Sequence, residues 1–387
     1  MHYCLYVPNT HRNRNLEVGG IANVLLQLLH EYEKKQNLNI SLMTQYSEYK
    51  PSSNKLKIYQ YNKFRIKQLN TAYFNLKTFL KIISLNKTRK IDVIFFFRYS
   101  NFEALIPFLL NFFLKIPILI YTPTDFDTYI RESLFLGSNS LHSKMIFYAW
   151  MKFFKKYIIR RKKVYIQAIN QHIVRDLIEL GVNKHNFVLI PNGITLNNFE
   201  DIRKIDHEDT NFSYVGRLIK TKNIRFLIKT FKRYLNHFPS DKLFIYGVGP
   251  EQKYILEFIK DNNLENNILL MGFEAIKANI YSKLDVLIHP SFGEGVPNTI
   301  LEAALTKTFI IASNVKGNCD IIKHNKTGLL FNPFDNKDLL DKLKLFKKDK
   351  NNREKILKQA KEHVISNYSM NMVVDSQYDF IKSNVRF

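Results

Sequence analysis

Two carboxylates eight positions apart, Glu294 and Glu302, sit in the run Ser291-Phe292-Gly293-Glu294-Gly295-Val296-Pro297-Asn298-Thr299-Ile300-Leu301-Glu302-Ala303, directly after the apolar segment VLIHP. A glycine-bearing loop at a strand end, followed by a helix starting near Pro297 or Asn298, aims free backbone N–H groups and a positive helix dipole end at whatever binds there. That is an anion site. Carboxylates on its rim accept paired hydrogen bonds from vicinal hydroxyls, so they suit a sugar or ribose better than a phosphate. The spacing predicts Glu302 just over two turns into the helix, on the same edge as Glu294. A helix cap plus a solvated glutamate would account for either residue alone, but not readily for the whole run.

A second group of candidates is Tyr214-Val215-Gly216-Arg217-Leu218-Ile219-Lys220-Thr221-Lys222-Asn223, again a strand end, a glycine and a helix start. Gly216 lets the backbone turn, and Arg217 and Lys222 supply two cations where a diphosphate needs them. Charges so placed stabilise a phosphate leaving group without a metal ion. Tyr246-Gly247-Val248-Gly249-Pro250 adds a Gly-x-Gly turn, and Glu17-Val18-Gly19-Gly20-Ile21 precedes an apolar-periodic helix and offers N–H donors from another wall. His289, at the end of VLIHP, and Cys4 read as structural residues.

These loops need strands to hold them. Apolar segments recur at the start (LYVP), at 91–97, 116–122, 163–169, 186–191, 211–216, 242–247, 267–272, 286–290 and 309–314, most of them separated by helix-period stretches. Continuous rather than alternating apolar strands in βα alternation predict parallel sheets covered on both faces. The pattern runs twice, with Ile190-Pro191-Asn192-Gly193-Ile194 reading as the loop between. The expected fold is α/β, with two Rossmann-like domains facing across a cleft and the ligand beyond the carboxyl ends of the strands.

Bulk composition narrows the class. At 387 residues, 45% hydrophobic and 24% charged, the chain is long enough for two domains with real cores. Cys4 and Cys319 cannot make a disulfide framework and match no zinc spacing. No secretory signal is visible at the start, and Glu103, Pro107, Lys115 and Pro117 interrupt the best bilayer-span candidate, 102–121. The net charge is +24, and residues 1–170 hold 26 basic against 9 acidic side chains. Such a surface attracts an anionic partner, while AT-rich coding, which favours the abundant Lys, Asn, Ile, Phe and Tyr, is the competing account.

The ordered motifs resemble the family 4 retaining glycosyltransferases of GT-B fold over nearly the whole chain. The likeness runs through Gly19-Gly20, the 190–194 run, Gly216-Arg217 to Lys222-Asn223, Gly247 to Pro250, Glu294 to Glu302, Thr327-Gly328-Leu329-Leu330 and a final helical segment near Tyr368 to Ile381. The resemblance implies domains at 1–192 (acceptor side) and 193–368 (nucleotide-sugar side), with 369–387 a helix crossing back to the first. It implies that Arg217 and Lys222 hold the donor diphosphate and that Glu302 takes the ribose hydroxyls. Glu294 with Gly295, Val296, Pro297 and Asn298 would position the donor sugar, Gly19 and Gly20 would complete the donor site, and Phe273 would lie near the nucleobase. Glu294 and Asp125 are the expected catalytic residues. The chain departs from the family at Thr124, where a histidine often precedes the aspartate near the reacting centre; the departure bears on donor preference and acceptor geometry.

The expected activity is metal-independent, cofactor-free transfer of a hexose or N-acetylhexosamine from a nucleoside diphosphate sugar, UDP-linked, to a hydroxyl of a cell-surface glycan or its lipid-linked precursor. A nucleotide-sugar epimerase of the same fold and a non-catalytic basic scaffold are the alternatives. Lys144–Lys163 and Lys63–Lys90 mix aromatics with cations and read as basic amphipathic segments. An anionic membrane surface is therefore the expected partner, with no nucleic acid because no recognition motif is present. Localisation follows as cytoplasmic and peripheral at the inner face of the cytoplasmic membrane.

Overall fold

A computed structural model describes residues 1–7, 20–44, 49–61, 67–97, 105–122, 161–199, 202, 204–205 and 209–384. The chain divides into two compact units, Met1–Gly193 with Met370–Phe387, and Ile194–Ser369.

The first unit runs β1 (His2–Val7), α1 (Gly20–Lys34), β2 (Asn39–Thr44), β3 (Leu56–Gln60), α2 (Lys67–Thr88), β4 (Val93–Phe96), α3 (Leu105–Leu114), β5 (Ile118–Thr122), β6 (Val164–Ala168), α4 (Gln171–Glu179) and β7 (Phe187–Leu189). Its seven strands pair in the order β3-β2-β1-β4-β5-β6-β7, all parallel. Every residue of β1, β4 and β5 is buried, as expected of strands covered on both faces. The strand order reverses between β1 and β4, the Rossmann switch point.

The second unit repeats the plan with β8 (Asn211–Val215), α5 (Ile224–Leu235), β9 (Lys242–Tyr246), α6 (Gln252–Asp261), β10 (Ile268–Gly272), α7 (Lys277–Tyr281), β11 (Val286–His289), α8 (Asn298–Leu305), β12 (Phe309–Ser313), α9 (Asn318–Ile321), β13 (Leu329–Phe331), α10 (Asn336–Lys348) and α11 (Arg353–Tyr368). Six parallel strands lie in the order β10-β9-β8-β11-β12-β13. Phe212 anchors the core beneath the site, edge-on to Phe231, Tyr234 and Phe346. Rings of this size bury enough apolar surface to contribute about 1.5–3 kcal/mol each, which gives the strand ends above them a rigid base.

The last helix, α12 (Met370–Asn384), belongs to the first unit and packs on α1. Its Gln377 is buried, donates from Nε2 to Gln167 Oε1 at 2.8 Å and accepts from the Tyr32 hydroxyl. The two parallel Rossmann-like sheets and the returning helix are the architecture the strand alternation and motif order predict.

Candidate functional site

The carboxyl ends of β8 and β9 carry two loops that lie backbone on backbone. Gly216 donates to Tyr246 O, Leu218 to Val248 O and Glu251 to Leu218 O, each at 2.9 Å. A Cβ on Gly247 would stand 1.8 Å from Gly216 O, and one on Gly249 would stand 2.4 Å from Leu218 O. Only glycine fits this approach, and φ of +141° and +158° adds a second reason for it. The Gly-x-Gly pair is thus a packing device that fixes the turn bearing Arg217. The Arg217 side chain is exposed, and among the described residues no carboxylate pairs with it. Tyr214, buried beneath this turn, donates its hydroxyl to Arg217 O at 2.8 Å.

Asn223 takes a left-handed conformation (φ 56°, ψ 33°), ends the turn over Lys220–Lys222 and starts α5. Its side chain donates to Pro333 O at 3.1 Å, and Phe292 N donates to Thr221 O at 3.0 Å, so this loop is tied to those after β11 and β13. Lys222 Nζ then reaches Glu294 Oε1 in a short, largely buried ion pair. The same carboxylate oxygen lies 3.0 Å from His289 Nε2, which also stands 3.2 Å from Ser291 Oγ. Burial alone would raise the Glu294 carboxyl, but the His289 hydrogen bond and the Lys222 charge outweigh it and hold the group well below the usual carboxylate range.

The backbone behind Glu294 is also clamped. Glu294 N donates to Lys316 O at 3.3 Å, and Gly317 (φ +83°) passes so close that a Cβ there would stand 2.4 Å from Gly295 O. Asn318 Nδ2 donates to Ser313 O at 3.0 Å, and Ser313 Oγ donates to Ser291 O at 2.6 Å, a buried relay that pins the loop's first residue. Pro297 precedes α8 and no side chain caps that helix; Pro297 O takes Ile300 N at 3.1 Å and Leu301 N at 3.4 Å, which leaves the Asn298 and Thr299 N–H groups without an acceptor among the described residues. Asn298 Oδ1 is buried there with no partner among the described residues.

Glu302 lies on α8, which begins at Asn298, so it sits just over one turn into the helix rather than two. Gly295 and Val296 form a bend and Pro297 is extended, so only the last four of the eight steps from Glu294 to Glu302 are helical. Its carboxylate is almost fully buried, accepts from the Tyr281 hydroxyl at 2.7 Å and lies 3.1 Å from Lys277 Nζ. Tyr281 and Lys277 both come from α7, whose first turn is fixed by Glu274 accepting from Ile276 N at 2.7 Å. Phe273 follows β10 with its ring about half exposed, next to Gly272 at φ +72°.

The fold therefore joins Lys222 to Glu294 at the carboxyl edge of the second sheet, with Gly295, Val296, Pro297 and Asn298 following as the rest of that loop and the start of α8, and Arg217 on the adjoining turn. Glu302 forms its own cluster with α7. Gly20 opens α1 in the first unit, while Gly19, Thr124 and Asp125 lie outside the described residues. Four residues escaped sequence reasoning as site members: His289, Tyr281, Lys277 and Gly317. For His289 a signal existed, since it ends the strand that feeds the Glu294 loop.

Residues 197–363 match the family model described as glycosyl transferases group 1. The capsular polysaccharide biosynthesis glycosyltransferase CapM of Staphylococcus aureus is 25% identical over 258 residues, covering 60% of this chain and 67% of that protein. An Escherichia coli UDP-Gal:alpha-D-GlcNAc-diphosphoundecaprenol alpha-1,3-galactosyltransferase is 26% identical over 271 residues, covering 66% of each chain. Among solved structures, Anabaena HepE in complex with UDP and glucose superposes with a TM-score of 0.69 at 15% identity, covering 99% of this chain and all of that one. The fold is that of the GT-B glycosyltransferases. The resemblance drawn from the motifs is supported at the level of the group 1 superfamily; family 4 membership and retention of configuration are finer than these matches.

Proposed function

We propose that the protein transfers a hexose or N-acetylhexosamine from a UDP-linked donor to a hydroxyl of a bacterial cell-surface glycan or its lipid-linked precursor, with retention of anomeric configuration. The observation that carries this reading is the meeting of Lys222, Glu294 and the uncapped start of α8 at one sheet edge, with Glu302 buried one turn further on. The names of the relatives, which include a capsule transferase and a galactosyltransferase acting on a diphosphoundecaprenol acceptor, support the acceptor class.

In this reading the α8 N–H groups and Lys222 receive the donor diphosphate, with Arg217 closing on it from the adjoining turn. Glu302 accepts the ribose hydroxyls with the lone pairs left free by Tyr281, and Phe273 lies beside the base. Glu294, held ionised, faces the sugar. The bond from the anomeric carbon to the β-phosphate oxygen breaks and its electron pair leaves on the phosphate. The acceptor oxygen bonds to that carbon from the same face, and its proton passes to the departing phosphate oxygen. Two cations and a helix N-terminus supply the charge a leaving diphosphate needs, which is the basis for proposing that no metal takes part. Asp125 is assigned to the sugar through its motif alone.

The test is a thermal-shift screen of the purified protein against nucleoside diphosphates and their sugars, with and without EDTA. A ligand at 100 times its dissociation constant adds about 2.7 kcal/mol of stability. Uridine diphosphate shifts the protein in both conditions if the reading is right. Lys222→Ala and Glu302→Ala each weaken that ligand, since a lost charge-assisted contact costs about 1.5–3 kcal/mol. Unchanged affinity in both variants overturns the site assignment.

A further inference from the structure

The face of the first unit formed by α2 and α3 differs from an ordinary solvated helical surface in two independent ways. Both helices follow strands that step the same way across the sheet, so right-handed crossovers place them on one face, and they touch. The inner side of α2 is normal: Phe74, Thr78 and Ile82 are fully buried. Its outer side exposes Leu76 and Leu80, at 57% and 52%, and α3 ends with Phe112 and Phe113 exposed at 58% and 66%. The inner faces of these helices already fill the core, so these large apolar side chains are left on the surface.

The charges around them are unbalanced. Neither α2 nor α3 contains an acidic residue. Lys77 and Lys81 lie over the rings of Tyr73 and Tyr59. At the end of α3, Arg161 lies 5.1 Å from the centre of the Phe112 ring and Lys163 donates to Lys115 O at 3.4 Å. Among the described residues none of these cations pairs with a carboxylate. The second unit treats its solvated helices differently, with Lys253–Glu257, Lys342–Asp338 and Lys358–Glu362 at helical spacing. A charge run that merely solvates a helix looks like those.

We propose that the α2–α3 face docks on an anionic lipid leaflet. Leu76, Leu80, Phe112 and Phe113 enter the interface, and Lys77, Lys81, Lys115, Arg161 and Lys163 meet the headgroups. The excess of basic residues in the first 170 positions supplies the long-range attraction. Lipid fits better than nucleic acid because the apolar chains gain by leaving water, and because Arg161 covers one face of Phe112 where a base would stack. No helix among the described residues is long and apolar enough to cross a membrane, so the contact is peripheral. This inference extends the lipid-linked acceptor reading above and names the surface that brings the protein to such an acceptor.

The full chain is to be sedimented with vesicles of phosphatidylcholine alone and of phosphatidylcholine mixed with phosphatidylglycerol, at low and high salt. Binding to the anionic vesicles only, weakened by salt, is expected. Phe112→Ser with Phe113→Ser, and separately Lys77→Glu with Lys81→Glu, should each lower it by about tenfold or more. All four side chains lie outside the core, and the melting temperature with its response to uridine diphosphate reports folding and donor binding in the same samples. Lost vesicle binding with an intact nucleotide response therefore supports the docking face whatever the acceptor. Variants that bind like the parent overturn the proposal, as does a parent that ignores anionic vesicles. Binding of duplex DNA that displaces vesicles and survives the phenylalanine replacements also overturns it.

Discussion

His289 Nε2 lies 3.0 Å from Glu294 Oε1, the same oxygen that takes the Lys222 ammonium. An ionised carboxylate only accepts, so His289 donates to it from Nε2, while Nδ1 on the other side of the ring lies 3.4 Å from Thr299 Oγ1. The strand end, the loop and the first turn of α8 are thereby locked through one imidazole. A residue that looked like ordinary core packing fixes the direction of the carboxylate facing the proposed donor sugar.

The depressed Glu294 carboxyl makes acid stability a direct reporter of this cluster. Its ionised form is the one the fold favours, so its contribution is present above the ordinary glutamate value of about 4.3 and is lost as pH falls through that value toward the native one. Glu294→Gln cannot titrate. Its stability deficit relative to the parent should be largest near neutrality and shrink between about pH 5 and about pH 3. Urea unfolding midpoints across that range would show it, and a deficit that stays constant with pH would mean that Lys222 and His289 do not hold the carboxylate ionised.

Tyr281→Phe removes one of the two donors that aim Glu302 and fills the same volume. Affinity for uridine diphosphate should fall about tenfold, the worth of one hydrogen bond to a charged group at the low end of its range. The sharper readout is selectivity. With Glu302 no longer fixed, the preference for uridine diphosphate over its 2′-deoxy analogue should narrow, whereas a merely structural loss would weaken both ligands equally. Equal losses in calorimetric titrations of the two would remove Tyr281 from any positioning role.

How legible the site was depended on whether its parts are contiguous in the chain. The loop from Ser291 and the helix from Asn298 were readable because strand, glycine turn and helix start follow one another in the sequence. The partners of Glu302 were not, since α7 reaches it from the far side of β11 and only the sheet order brings them together. Gly317 was missed for the same reason. Among strands, β2, β3 and β13 went unread: β2 mixes Asn39, Ser41 and Thr44 with apolar residues, β3 is an edge strand with polar Lys57 and Gln60, and β13 spans three residues. Edge and short strands carry too little apolar sequence to stand out from loop.

Gly247 and Gly293 form a paired test of the loop packing. A Cβ at Gly247 meets Gly216 O at 1.8 Å, while one at Gly293 meets nothing within 4 Å. Gly247→Ala must push two backbones apart and should cost about 2–4 kcal/mol, with the Arg217 turn displaced and nucleotide binding weakened. Gly293→Ala should fall within about 0.5 kcal/mol of the parent. Chemical denaturation distinguishes them; equal small effects would mean that the β8 and β9 loops are not held by close backbone contact.

Gln377 joins α12 to the body of the first unit through two buried hydrogen bonds, one from Tyr32 and one to Gln167. Leucine at this position fills similar space but leaves both the Tyr32 hydroxyl and the Gln167 carbonyl buried without a partner, and each such group costs about 1–3 kcal/mol. The burial that makes the loss expensive also confines it, because every group involved belongs to the first unit. Gln377→Leu should therefore lower the unfolding transition of that unit while the response of the second unit to uridine diphosphate stays unchanged. Two transitions in calorimetry, only the ligand-insensitive one shifted, is the expected result. A variant that unfolds like the parent would mean that α12 is held by its apolar residues Val373, Val374 and Ile381 alone.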